Sequence, residues 1–209
     1  MQTLYILCKL VGKGVRMKAK ELFDILQVAT QLKETTRHCW TNKNRQESVA
    51  EHSWRLCLFA LLVEDEFKEV DMNKVIRMCI IHDLGEAFTG DIPAFDKTQE
   101  DRDKEHTLFK EWMQTFPSPI KESFLELFVE MEKLESIEAK LYKALDKLEA
   151  VIAHNESDIS TWLPLEYDLQ LEYGKENVQF SNYLVQLKAL VDIWTKEKIK
   201  EEGKMSHAD

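Results

Sequence analysis

The 209-residue chain carries 38 acidic against 28 basic side chains, a net charge of −10, and 44% of its residues are apolar. That balance excludes a general nucleic-acid-coating surface, which needs clustered Lys and Arg to displace counterions, but it leaves room for a small anion held by one or two local cations. Six Gly and four Pro are too few to punctuate an all-β sandwich, so the composition favours a few long helices.

Residues 1–20 hold Lys9, Lys13, Arg16, Lys18 and Lys20 and no acid, in contrast to the rest of the chain. The apolar run Leu4–Cys8 has no preceding base and no small-residue cleavage site after it, unlike a signal peptide. Residues 1–16 are therefore read as a peripheral segment, 17–198 as one domain and 199–209 as a frayed polar tail. A first helix is expected over Lys18–Leu32, with Leu22, Ile25, Leu26 and Ala29 on one face. Ser48-x-x-Glu51 is a capping box that opens a second helix running to about Glu66. A third follows the N-cap Asp71 and reaches Gly85, before the Gly90–Pro93 turn. A fourth covers Gln99–Thr115. A fifth opens with Ser118 as N-cap and Pro119 at the first helical position. A sixth covers Ser136–His154 and a last one Asn177–Lys198, with a short helix and loop between them in 156–174. The fold class is an all-α, single-domain bundle. No apolar run approaches the roughly 20 residues that span a bilayer. Cys8, Cys39, Cys57 and Cys79 form no C-x-x-C pair, the usage of reduced thiols in a cytoplasmic protein.

Polar residues interrupt the apolar stripes of the central helices. His52 is in step with Val49, Leu56 and Phe59; His82 is in step with Val75, Met78 and Cys79, and Asp83 follows at once. An ionised Asp beside a His on a buried helix end is costly unless something pairs with it. A divalent metal resolves the conflict, because it accepts imidazole nitrogen and carboxylate oxygen together. Any one of these residues alone reads more simply as a hydrogen-bonded core or capping group. It is their combination with Glu86, one turn past His82, and with Asp91 in the following turn that points to a site. Helical phase leaves Asp146 and Glu149 as rival acids on the sixth helix.

The segments Arg45–His52, His82–Pro93 and Glu138–Lys147 together resemble the HD-domain phosphohydrolases, in particular the 5′-deoxynucleotidase branch, and the resemblance covers about 22–174. It implies an HD-domain helical bundle whose metal ligands are His52, His82, Asp83 and Asp146, with Mn, Co, Mg, Zn or Fe as the divalent ion. It implies Glu86 and Asp91 as the catalytic carboxylates, and Arg37 and Trp40 as contacts for the phosphate and for the sugar or base of a nucleotide. Ser53, beside one proposed ligand, is a weaker candidate for phosphate contact. The chain departs from relatives in two places: Cys39 stands where they carry Gly, and the link from Trp40 to His52 is short. The remaining histidines, His38, His106, His154 and His207, are read as structural or surface residues. The resulting expectation is a metal-dependent hydrolase of deoxyribonucleoside 5′-monophosphates, a homodimer without nucleic-acid or membrane partners. The alternatives are an HD-family hydrolase of another nucleotide or phosphoester, and a nucleotide-binding bundle without turnover.

Overall fold

The computed structural model describes residues 17–41 and 45–205, the last four of these by backbone alone. The proposed peripheral segment 1–16 and the end of the expected tail, 206–209, lie outside the described residues. Helices α1 (Ala19–Ala29), α2 (Val49–Leu62), α3 (Met72–Ile81), α4 (Glu86–Thr89), α5 (Gln99–Gln114), α6 (Ile120–Lys133), α7 (Ile137–Glu156), α8 (Glu166–Glu172) and α9 (Asn182–Met205) account for most of the described chain. Helix α7 is the axis, packing on α2, α3, α6 and α9. Its Leu141, Leu145 and Leu148 are fully buried with Leu56 of α2 and Met78 of α3, so one apolar layer joins the three helices that carry the polar cluster.

Local sequence explains where these helices start. The Ser48 hydroxyl accepts from Glu51 N–H at 3.3 Å, and the Glu51 carboxylate accepts from Ser48 N–H at 2.9 Å. This reciprocal cap starts α2 one turn before His52. Asp71 caps α3 through Lys74 N–H, and Ser136 caps α7 through Ala139 N–H.

Several boundaries differ from the sequence reading. The first helix tightens into a 3₁₀ turn at Thr30–Lys33, and the second ends at Leu62 before another such turn at Glu64–Glu66. Between them the chain forms a hairpin that the helical pattern did not announce: β1 (Thr36–Trp40) runs antiparallel to β2 (Gln46–Ser48), pairing Thr36 with Ser48 and Trp40 with Gln46. Two strands this short carry too little alternation to be read from periodicity. The third helix ends at Ile81 rather than Gly85. Helix α6 starts at Ile120, not after a Ser118 cap: the Ser118–Pro119 peptide is cis, and the Ser118 hydroxyl donates to the Glu122 carboxylate at 2.6 Å. The last helix starts five residues later than expected and runs on through 199–205.

Candidate active site

His52 leaves α2 with no exposed surface, pointing between α3 and α7. Past Ile81 the backbone tightens: the N–H groups of Leu84, Glu86, Ala87 and Phe88 donate to carbonyls three residues back. In such a turn, side chains at i and i+3 eclipse. Asp83 and Glu86 thus face one cleft together, whereas a continued α-helix would have aligned Glu86 with His82. Gly85 lets α5 pack closely on this turn, since a Cβ there would lie 2.8 Å from Cγ of Glu105. Gly90, with φ of +76°, then ends α4 and turns the chain into Asp91.

The four sequence-predicted ligands converge. His52 Nε2 and His82 Nε2 are 3.2 Å apart. Asp146 Oδ1 lies 3.3 Å from the first and 3.7 Å from the second. Asp83 Oδ2 lies 3.8 Å and 2.9 Å from the same two atoms. Behind them the other ring nitrogens are committed: His82 Nδ1–H donates to the Cys79 carbonyl at 2.9 Å, and His52 Nδ1–H to the Glu149 carboxylate at 2.5 Å. With both Nδ1 atoms protonated, both Nε2 lone pairs turn toward two carboxylates, a set of four donor atoms that repel one another and that a divalent cation would join. Asp146 and Glu149 are therefore not rivals. One α7 face presents both, Asp146 on the Nε2 side of His52 and Glu149 on its Nδ1 side.

Without a cation, protons take up the charge. Burial and Arg37 depress His52, but Glu149 and Asp146 outweigh them and lift it to about 9. Burial, reinforced by Asp83 and Asp91, raises Glu86 to about 11, and Oε2 of Glu86 is a buried oxygen without a hydrogen-bond partner. Burial also raises Asp91, whose carboxylate accepts from the backbone N–H of His38, although Arg37 opposes the rise.

The cluster opens into a cleft of about 180 Å³. Four carboxyls, Asp83, Glu86, Asp91 and Asp146, and five cations, Arg37, Lys97, Arg102, Lys143 and Lys147, line it together. Arg37 Nη1 is 2.8 Å from Glu47 and 3.7 Å from Glu149, Lys97 sits 3.6 Å from Glu86, and Lys143 is 2.9 Å from Asp146. Neither Trp40 nor Ser53 lines this cleft. Trp40 lines a separate hollow with Arg55, Glu156 and Trp194, because β1 meets the cleft at Arg37 and His38, and two residues further along an extended strand is about 6–7 Å away. The Ser53 hydroxyl is buried without a hydrogen-bond partner.

Sequence reasoning weighed Glu149 only as a rival ligand to Asp146, and passed over His38, His154 and Glu166 as site residues. The last three line the same cleft. The available signal was in α7: Asp146, Ala150 and His154 are spaced by single turns and all reach the cleft. The other non-ligand histidine described, His106, is in a surface ion pair with Glu132 at 2.9 Å.

A family model described as "HD domain" matches residues 29–188. The chain belongs to the HD-domain family. It is 32% identical over 149 residues to 5′-deoxynucleotidase HDDC2 of Bos taurus, covering 69% of this chain and 70% of that one. It is 30% identical over 142 residues to 5′-deoxynucleotidase HDDC2 of Homo sapiens, covering 66% and 69%. Its fold matches the crystal structure of a predicted metal-dependent phosphohydrolase from Magnetospirillum magnetotacticum MS-1, with a TM-score of 0.72 at 24% identity over 87% of this chain and 92% of that one. The His82-Asp83 pair on which the sequence resemblance rests is held on the tightened turn.

Two outcomes follow from this geometry. Glu149→Gln should weaken divalent-ion binding about 10–100-fold, because the carboxylate that orients His52 is lost while every ligand remains; titration calorimetry with Mn or Co measures it. The metal-free chain should also lose stability as pH rises from about 6.5 toward 9. His52 and Glu86 keep protons in the folded state, with values near 9 and 11, that the unfolded chain releases at ordinary pKa values. Both terms have the same sign, and Glu86→Gln should flatten the slope; urea denaturation across that pH range in chelator reads it.

Proposed function

We propose that this HD-domain protein is a metal-dependent phosphohydrolase that releases phosphate from deoxyribonucleoside 5′-monophosphates. The observation that carries the reading is the convergence of two imidazole and two carboxylate donor atoms in a cleft that is also lined by five cationic side chains. Relatives at 30–32% identity bearing the name 5′-deoxynucleotidase support the substrate class.

A phosphomonoester at neutral pH is a dianion that repels a nucleophile, so its hydrolysis needs charge neutralisation, an activated water and an acid for the leaving oxygen. His52, His82, Asp83 and Asp146 would hold a divalent ion, which, when bound, lowers the pKa of a water and shields phosphoryl charge. An N₂O₂ donor set admits Mn, Co, Mg, Zn or Fe. Arg37, half-buried between Glu47 and Glu149, keeps its charge at any working pH and presents a guanidinium suited to phosphate oxygens. Glu86 and Asp91 face the same space with raised proton affinities. Two carboxyls so close titrate apart: one retains a proton for the departing alkoxide, while the other, ionised, orients water and takes its proton.

Free cysteines at Cys39, Cys57 and Cys79 support a reducing, cytoplasmic setting. Among the described residues no helix is long and apolar enough to cross a membrane. The outer face of α2 supports a homodimer: Trp54 is 67% exposed and Leu62 74%, with Leu58 and Leu61 exposed between them, a patch that a twofold contact would cover. Leu62→Glu should therefore run as a monomer in light scattering where the parent chain runs as a dimer; a parent chain already monomeric at micromolar concentration refutes that assembly.

The activity test is phosphate release from deoxy- and ribonucleoside 5′-monophosphates after chelation and readdition of each metal. His82→Ala and Asp83→Ala should abolish turnover. Glu86→Ala should keep metal affinity but lose at least about 100-fold in kcat. Turnover that survives loss of both ligands, or a chain that binds nucleotide yet releases no phosphate with any metal, refutes the hydrolase reading.

A further inference from the structure

At the other end of the cleft, away from the proposed metal centre, Glu166 is only 1% exposed, and two imidazoles from distant parts of the chain share its carboxylate. His38 Nε2 lies 3.3 Å from Oε2, His154 Nδ1 lies 3.7 Å from Oε1, and Oε2 also accepts from the Leu163 N–H at 2.7 Å. A carboxylate beside an imidazole fixes which ring nitrogen carries the proton. The Glu166 carboxylate can only accept, so His38 places its N–H on Nε2 and leaves Nδ1 as an acceptor, while His154 Nδ1, at 3.7 Å, lies beyond hydrogen-bond distance but within reach of the same charge. Burial, with the Arg37 charge, brings His154 down to about 3, so at neutral pH it is uncharged and keeps a lone pair on one ring nitrogen. Phe95 meets the His38 ring edge-on, with centroids 5.6 Å apart, and adds an apolar wall to the cleft.

Helix α7 sets the distance between the two ends. Asp146, Ala150 and His154 are successive turns of one helix, so His154 lies about 12 Å along the axis from Asp146 at the α-helical rise. With phosphorus at the Asp146 end, that span is the length of a nucleoside monophosphate. Ala150, the residue between, is small enough to leave room for a sugar.

We propose that His38 and His154, positioned by Glu166, form the subsite for the nucleobase, accepting hydrogen bonds from its ring N–H or exocyclic amino group beside Phe95. The subsite rests on the cleft being a nucleotide site, and no ligand or carboxylate assigned to the hydrolytic step takes part in it. His38 and His154 are specificity residues for the base; Glu166 acts through them and is a positioning residue.

The test compares dAMP and dCMP with 2-deoxyribose 5-phosphate, which presents the same phosphate and sugar carbon skeleton without a base. His154→Phe keeps a ring but removes the acceptor, and Glu166→Gln keeps the size but removes the charge that orders both imidazoles. Each variant should raise KM for the nucleotides about tenfold or more with little change in kcat, and should lose far less on 2-deoxyribose 5-phosphate, whose turnover reports an intact fold and hydrolytic centre. Binding of deoxyadenosine to the metal-loaded chain, read by calorimetry, should weaken about tenfold in the same variants. Equal losses on nucleotide and base-free substrate, or no change in deoxyadenosine binding, overturn the subsite. If no phosphate is released from any nucleotide while deoxyadenosine binding still depends on His154, the hydrolase reading fails and the subsite stands; if phosphate is released with the same base preference in parent and variants, the reverse holds.

Discussion

The contact on which the site depends is the buried pairing of His52 with Glu149, two side chains with almost no exposed surface that join α2 to α7 at 2.5 Å. A carboxylate taken out of water is costly unless it is paired and hydrogen-bonded, and here the partner is an imidazole whose remaining nitrogen faces Asp146 and His82. That one bond settles the tautomer of His52, the rotation of its ring and the spacing of the two helices. Arg37 at 3.7 Å and Arg55 at 3.4 Å brace the same carboxylate from outside, so the acid that orients the imidazole of a proposed ligand is also where the hairpin and α2 tie into α7.

The arrangement gathers negative charge and then leaves part of it unmet. Burial works against the charge on Asp83 and Asp146, but the imidazoles at both sites, and Lys143 beside Asp146, hold both below the usual carboxylate range. Glu86 and Asp91, further from that compensation, go the other way and take protons up more readily. A short stretch of chain, 83–91, thus carries carboxyl groups of opposite protonation tendency around one space, which suits a reaction needing both a proton donor and an acceptor. The cations that line the cleft would let an acidic protein hold a phosphate: the net charge of −10 describes the whole chain, while Arg37, Lys97 and Lys143 set the local field.

The rest of the bundle keeps that cluster rigid. Leu141, Leu145 and Leu148 fill the layer beneath it, and Gly85 lets α5 approach so that Glu105 can hold Lys97 at 2.5 Å beside Glu86. The exposed apolar face of α2 lies outside this economy of contacts. It belongs to the same helix as His52, so whatever covers it also stiffens the element that carries one proposed ligand.

The sequence by itself determined the helical class, the Ser48 capping box and the Asp71 N-cap, and the presence of His52, His82 and Asp83 at positions where an apolar stripe is interrupted, because periodicity and capping are local and a costly polar residue on a buried face stands out from its neighbours; Asp146 came from the family resemblance alone. The His-Asp motif and the Gly-Asp-Ile-Pro turn were legible through the resemblance to the HD-domain family. Only the tertiary structure decided that Asp146 and Glu149 take opposite sides of one imidazole, that Glu86 aligns with Asp83 through a tightened turn, and that His38 rather than Trp40 reaches the cleft on the hairpin. It alone brought His38 to Glu166 across 128 positions of sequence. Such pairings depend on how helices and strands cross, and a crossing leaves no period in the chain from which it could be read.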